Sequence, residues 1–296
     1  MISYRISKVR LEEMIEDRKA GWLQRAAERT QTFKTQGEYR EDSSIWSEIK
    51  PVFMELQYDK CAYCERQLES EEYGRIEHDL EHFRPKKKAK PWKTSAKLRQ
   101  AGVNLTPPLQ GSADPGYHLL AYNPLNYCTS CKPCNSRLKS DNFPIEGVRD
   151  PAGDDPVTLA NEQPLLLNPV GDFDDDAEVL INFIGVSPMA AAPDGYARRR
   201  GLVSIAFYRL DDLRRKSLFR ERARVIISLF SFLELTQSAA PQTVRDIYER
   251  LVETTTHASA PHANCARSFV KLYQQDRDEA EEVFTLCADY LQSISG

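Results

Sequence analysis

The chain has 296 residues, of which 41% are hydrophobic and 28% charged, with a formal net charge of -4. That balance supplies one large core or two small ones and excludes wholesale disorder. The longest apolar stretch, VIISLFSFLEL at 225–235, is broken by serines and falls short of the ~18 apolar residues of a membrane span, and MISYRISKVRLEEM lacks the apolar core of a secretion signal. The expectation is a cytoplasmic protein without a membrane partner.

In chain order, residues 6–30 and 44–57 carry apolar residues at three- and four-residue spacing, as amphipathic helices do, with Pro51 kinking or restarting the second. An N-terminal helical region over 1–57 follows from this. Residues 58–150 change texture, being rich in Cys, His, Pro, Asn and basic residues, which suits a compact site domain of short strands and loops. Within it, 94–116 reads as an inserted, partly mobile loop, from its Pro and Gly content. A connecting region, 151–210, contains NEQPLLLNP, EVLINFIGV and GLVSIAFYRL, read as short strands. From 211 to 296 helices dominate, at 211–235, 241–255 and 265–294. The fold class expected is α+β, predominantly α.

Five of the seven cysteines crowd into Cys61, Cys64, Cys128, Cys131 and Cys134, which in a reducing compartment argues for metal over disulfides. Cys265 and Cys287 fall in helical patterns and read as buried thiols. CAYC (61–64) and CKPC (131–134) have the spacing at which two thiolates bind one tetrahedral Zn²⁺, and together they would close a four-sulfur structural site. Cys128 makes an overlapping CTSC; the residues that follow the second pair favour Cys131 and Cys134. The 66 residues between the pairs (65–130) are too many for a simple zinc ribbon, so something else is built there.

That intervening segment holds RIEHDLEHFRPK (75–86), which can be read in two ways. As HxxEH it would be a metallopeptidase helix in which His78 and His82 share zinc. Pro85 biases Arg84 away from helical geometry, however, and this reading leaves both cysteine pairs unexplained. The other reading takes only EHFRP as chemical. The run HFRPKKKAKPWK (82–93) adds Arg84, Lys86, Lys87, Lys88, Lys90 and Lys93 with no acid among them, whereas the clusters at 198–200 and 214–216 read as solvated faces. The net charge averages over these and over the acidic GDFDDDAE (171–178), so it says little about partners.

A CxxC, an acidic residue and His before a proline, then Asn, then CxxCN with a following Lys, resembles the HNH endonucleases, whose ββα-metal site is often pinned by a four-cysteine zinc. With CAYCE, EHFRPK, CNSRLKSDNFP and the downstream EQPLLLNP, the chain looks most like the HNH nucleases of prokaryotic antiphage defence, including the component paired with an ATPase in Septu and some retron systems. The resemblance covers about 45–225 and is specific in 61–144. It implies a ββα-metal core with structural zinc, flanked by N- and C-terminal helices. It implies that His82 is the general base, that Glu81 and Asn135 bind a catalytic Mg²⁺ or Mn²⁺, and that Asn126 braces the loop orienting the histidine. Glu81 stands where Asp is commoner, Cys128 is extra, and Lys139 lies four rather than three residues after Asn135.

The chemistry is consistent with that assignment. Phosphodiester hydrolysis needs a base for the water, a cation for the developing charge and a polar frame that holds them in line. A neutral His suits the first task, and Mg²⁺ accepts one or two hard oxygens from the protein. Arg84, Lys86 and Lys139 are expected to contact phosphates, adding affinity without reading sequence. The expected activity is low-specificity DNA hydrolysis by the effector of a defence system, with a regulatory ATPase or another system component as a partner for the flanking helices. The rival expectation is a silent zinc-stapled module that binds nucleic acid or protein. His78 is expected to be structural or to lie behind the site, and His118 to be packing or solvated.

Overall fold

The N-terminal stretch expected as one helix divides in two. Ser7 caps α1 (Lys8–Arg18) by accepting the Arg10 amide, and the left-handed Gly21 separates it from α2 (Trp22–Gln36). The computed structural model that shows this describes residues 1–74, 76–109 and 115–294. Positions 110–114 of the expected insertion at 94–116 lie outside the described residues. A tight turn at Trp46–Ile49 runs into α3 (Lys50–Leu56), with Pro51 in its first turn, where no intrahelical amide is needed.

A single turn, α4 (Glu71–Gly74), precedes β1 (His78–His82). β1 pairs antiparallel with β2 (Tyr127–Cys131), His78 opposite Cys131 and His82 opposite Tyr127. α5 (Ala96–Gln100) lies in the connection between them, and the widened helical turn Pro133–Lys139 follows β2 at once. The order is therefore strand, strand, short helix.

Downstream come α6 (Ala177–Leu180), β3 (Ile181–Ile184) paired with β4 (Ser187–Ala190), α7 (Gly195–Phe207), α8 (Lys216–Thr236), α9 (Gln242–Thr256), α10 (Ala263–Gln275) and α11 (Arg277–Ser293). The chain is mostly helical with two small antiparallel sheets, an α+β arrangement. Three sequence expectations are corrected. GLVSIAFYRL is not a strand but the end of α7 and the turn after it; Val203, Ser204, Ile205 and Phe207 are all buried, and a helix enclosed on most sides gives the same continuous apolar run as a buried strand. EVLINFIGV splits, because Asp176 caps α6 through the Glu178 amide and the strand begins only at Ile181. NEQPLLLNP contributes one isolated bridge, Ile145 with Pro164, although Leu165, Leu166 and Leu167 are fully buried. The C-terminal 265–294 segment likewise breaks at Asp276, which caps α11.

Helices α8 to α11 pack on one another, and their bundle is fastened to the first cysteine pair. Lys60, fully buried, donates to the Ala260 carbonyl (2.9 Å), and Glu65 accepts the Asn264 amide at the start of α10 (3.2 Å). Arg222 of α8 donates to the carbonyls of Leu210 (2.8 Å) and Val186 (3.0 Å). Among the described residues, no helix is long and apolar enough to cross a membrane.

Gly116 holds the loop after β1 in place. At φ +69°, a Cβ there would stand 2.1 Å from the Lys87 carbonyl oxygen, whereas Gly37, at φ +71°, has open space around it. Gly37→Ala is expected to cost about 1–2 kcal/mol from the left-handed backbone alone. Gly116→Ala adds a backbone clash, and thermal denaturation should show it clearly the less stable of the two.

Candidate active site

Cys61 and Cys64 lie just beyond α3, Cys131 ends β2, and Cys134 sits in the Pro133–Lys139 turn. All four are buried, and their sulfurs lie within 4.8 Å of one another, Cys64 to Cys131 at 3.9 Å. Four sulfurs each ~2.3 Å from one tetrahedral ion would be about 3.8 Å apart, so the group fits a structural zinc. The Cys131 amide and the Arg215 guanidinium point at Cys61 Sγ (3.4 Å) and Cys134 Sγ (3.5 Å), as donors to thiolates do. Hydrogen bonds from Cys131, Cys134 and Cys61 hold the Cys64 thiol well below its usual range, while the same crowding pushes Cys134 up. Four thiols side by side thus favour one negative charge, and closing them as a tetrathiolate needs a cation. Cys128 is not part of the group: it donates to the Tyr63 hydroxyl (3.2 Å), and burial pushes its thiol up. Cys265 and Cys287 are buried free thiols.

The cysteine group joins β2 and the turn after it to the chain beyond α3, and β1 pairs with β2 in register. Along β1 runs a cleft of about 430 Å³ lined by His78, Asp79, Leu80 and His82 together with Trp46, Ser47, Glu48, Lys50, Lys86 and Asn135. No residue of β2 lines it, so the cleft follows the unpaired edge of β1.

His82 is wedged edge-on between Trp46 (4.9 Å between centroids) and Tyr127 (5.0 Å). Its Nε2 lies 3.1 Å from the Ala121 carbonyl oxygen, which assigns the proton to Nε2 and leaves the Nδ1 lone pair as the acceptor. Burial, then the nearby Lys86 ammonium, hold the imidazole well below its ordinary pKa, so it is neutral at pH 7. Asn126 uses its whole amide on the chain after β1: Oδ1 accepts the Arg84 amide (2.7 Å), and Nδ2 donates to the carbonyls of Arg84 and Leu120 (3.1 Å each).

Asp79 and Glu81 project from β1 toward the Pro133–Lys139 turn. Asn135 Nδ2 donates to Asp79 (2.9 Å), which Lys132 also contacts at 2.6 Å. Glu81 is instead paired with Lys139 (2.6 Å), whose ammonium also donates to the His82 carbonyl (2.7 Å). Burial pushes the Glu81 carboxyl up and Lys139 pulls it back. The structure therefore brings His82 and Asn135 to one cleft, but the acid that meets the Asn135 amide is Asp79. The sequence reading missed Asp79, although the two-residue period of a strand puts it on the same face as Glu81.

Two of the three expected phosphate contacts are corrected. Lys139 is fully buried in its ion pair. Arg84 is 2% exposed, donates to the Leu159 carbonyl (2.8 Å) and lies 3.5 Å from Glu162, with its guanidinium over the Tyr117 and Phe143 rings. Both are structural cations. Lys86 lines the cleft, its ammonium 4.5 Å above the Trp46 ring.

The peptidase reading fails on geometry. His78 and His82 lie on a strand, where four residues span about 13 Å, too far to share one ion. His78 turns its Nε2 to the Glu69 carbonyl (3.0 Å), and His118 is buried against its own loop.

With this geometry in hand, comparison with known proteins is informative. The chain is 31% identical over 184 residues to the Septu protein PtuB of Bacillus mycoides (strain KBAB4), covering 62% of this chain and 51% of that protein. It thus spans about half the length of the relative it matches. No protein-family model and no solved structure matches.

Metal analysis tests the thiol cluster. Cys134→Ser is expected to take zinc from one per chain to none and to lower the melting temperature by about 10 °C or more, because such sites contribute much of a small fold's stability. Cys128→Ser should keep its zinc.

Proposed function

We propose that this chain is a metal-dependent endonuclease of the HNH type, hydrolysing DNA phosphodiesters with low sequence specificity in antiphage defence. The observation that carries the reading is His82: a buried, neutral imidazole with a fixed tautomer, lining one cleft with Asn135 and Asp79, at the edge of a strand–strand–helix unit stapled by four cysteines. The similarity to a Septu protein supports the defence context.

In this reading Nδ1 of His82 takes the proton of a water as its oxygen attacks phosphorus, the bond to the bridging oxygen breaks with that oxygen taking a proton from solvent water, and the imidazolium then returns its proton to solvent. The Ala121 carbonyl, Trp46 and Tyr127 keep the ring from turning, and Asn126 keeps the following chain from drifting. Lys86 meets the phosphate at the mouth of the cleft. A divalent ion held by Asn135 with the carboxylate of Asp79 or Glu81 would supply the charge that offsets the departing oxygen. The hard oxygens of Asp79 and Asn135 fit such an ion once Lys132, which donates to both Asp79 oxygens (2.6 and 2.8 Å), swings away. The Glu81 carboxylate fits only if Lys139 yields, since ammonium and cation compete for the same oxygens.

That ion pair favours a second reading, a silent zinc-stapled binder of nucleic acid or protein. Plasmid cleavage with Mg²⁺ or Mn²⁺ separates the two. Wild type should cut, and His82→Ala should lose about 10²–10⁴ in rate with zinc content unchanged and only a modest fall in melting temperature from the lost packing. Asp79→Asn and Glu81→Gln then show which acid serves the ion. Plasmid left intact by wild type, alone and with its co-expressed gene neighbours, would move the assignment to the binder. The flanking helices are proposed as the surface for a partner such as a regulatory ATPase. Native mass spectrometry of co-expressed material should show a complex, and a persistent monomer would count against it.

A further inference from the structure

Beyond the cleft, the connection between β1 and β2 builds a second concavity of about 530 Å³ that the reaction does not use. Lys90 bridges to Asn142, and the Thr106 amide donates to the Ile145 carbonyl (2.9 Å), so two lengths of this connection lean on the same strip of chain. Leu98 and Val103 are buried between them and the body of the protein, which makes the connection a packed wall. Lys90, Lys93, Arg99 and Arg149 line the groove and, among the described residues, no carboxylate does. Arg149, 6% exposed, is fixed at its edge by the Tyr117 hydroxyl (2.7 Å) and the Phe143 carbonyl (3.0 Å), and its buried Nε meets no acceptor among the described residues. Lys90 is paired with Asp141 (2.7 Å), whereas Lys93 and Arg99 are exposed. Trp92 lines the groove half-buried, braced against Phe207 with centroids 5.1 Å apart.

A positive groove with a braced aromatic ring is the chemistry of an unpaired nucleic-acid strand: bases stack on the ring and phosphates meet the cations. Lys86 lines the cleft and Lys90 the groove, and four residues of chain reach at most about 14 Å, a separation of only a few nucleotides. We propose that this groove holds an unpaired segment of the strand that is cut, with a base on Trp92 and phosphates at Lys93 and Arg99. The inference rests on the nuclease reading and adds to it a preference for substrates with single-stranded character near the scissile bond.

The test is binding of a short single-stranded DNA oligonucleotide, and of the same sequence as a blunt duplex, by fluorescence anisotropy to the full chain carrying His82→Ala. Trp92→Ala should weaken single-strand binding roughly 5- to 150-fold, the loss of one stacked base, and leave the duplex much less affected. Lys93→Ala with Arg99→Ala, both exposed, should reduce the salt slope by about 1.4, two phosphate contacts on a single strand, with the melting temperature measured alongside because Arg99 also donates to the Thr94 carbonyl (2.7 Å). Trp92→Phe, which keeps a ring against Phe207, should restore most of the affinity if Trp92→Ala also lowers the melting temperature. Single-strand affinity and salt slope unchanged in the lysine–arginine variant would overturn the proposal, as would equal losses on strand and duplex. Unchanged binding in a chain whose wild type cuts plasmid removes the groove alone. Trp92-dependent binding in a chain that cuts nothing keeps the groove and removes the nuclease.

Discussion

The meeting of Cys61 and Cys64 with Cys131 and Cys134 is the constraint on which the site depends. Closing a loop of 66 residues (65–130) costs about 4 kcal/mol in chain entropy beyond a constant. A two-stranded ladder of five residue pairs is marginal by itself and does not reliably offset that cost. A tetrathiolate zinc contributes on the order of 10–16 kcal/mol in isolated peptides. A zinc on these four sulfurs would therefore exceed the closure cost by a wide margin and would hold the strand pairing in register. Cys131 faces His78 across the ladder, so whatever fixes the cysteine end of β2 also fixes His82 opposite Tyr127 at the other.

Beneath this ladder lies a buried polar layer. Arg84, Tyr117, Arg149 and Glu162 form a chain of contacts, with Glu162 accepting the Tyr117 hydroxyl (2.9 Å) and the Asp150 amide (2.6 Å). Taking these charges out of water is expensive, and replacing such a set with apolar residues is often neutral for stability. Its effect here is directional. Arg84 must sit where Glu162, the Leu159 carbonyl and two aromatic faces converge, and Asn126 holds the Arg84 backbone from the other side. A segment two residues from His82 thus has a single low-energy position.

The same strand sorts its side chains by face. His82 lies against Trp46 and Tyr127, a wall that strips water from the imidazole and lowers its basicity. Asp79 and Glu81 meet Asn135, Lys132 and Lys139 on the short helix, a polar wall that keeps carboxylates paired. The period of two that separates these sets also brings them together at the end of β1, where a neutral base and paired acids stand one residue apart. Burial has opposite consequences for the two: it makes the histidine a neutral acceptor, and it makes the acids dependent on their partners.

How much of this was legible in the sequence follows from the range of each signal. The cysteine pairs could be read because two thiols three apart form a local unit, and the exclusion of Cys128 followed from the residues beside it. Pro51 and Pro85 could be read because proline acts on its own turn. The α7 segment was misread because an enclosed helix and an enclosed strand give the same apolar run. Arg84 and Lys139 were misread for a different reason. A cation in a basic run has no local mark of burial; what turns Arg84 inward is Glu162, 78 positions away, and what turns Lys139 inward is Glu81, 58 positions away. Lys86, by contrast, lines the cleft with its ammonium over the Trp46 ring. Three basic residues of similar sequence character thus receive two fates, decided by where an acid happens to be buried, and that is a property of tertiary placement which no window along the chain contains.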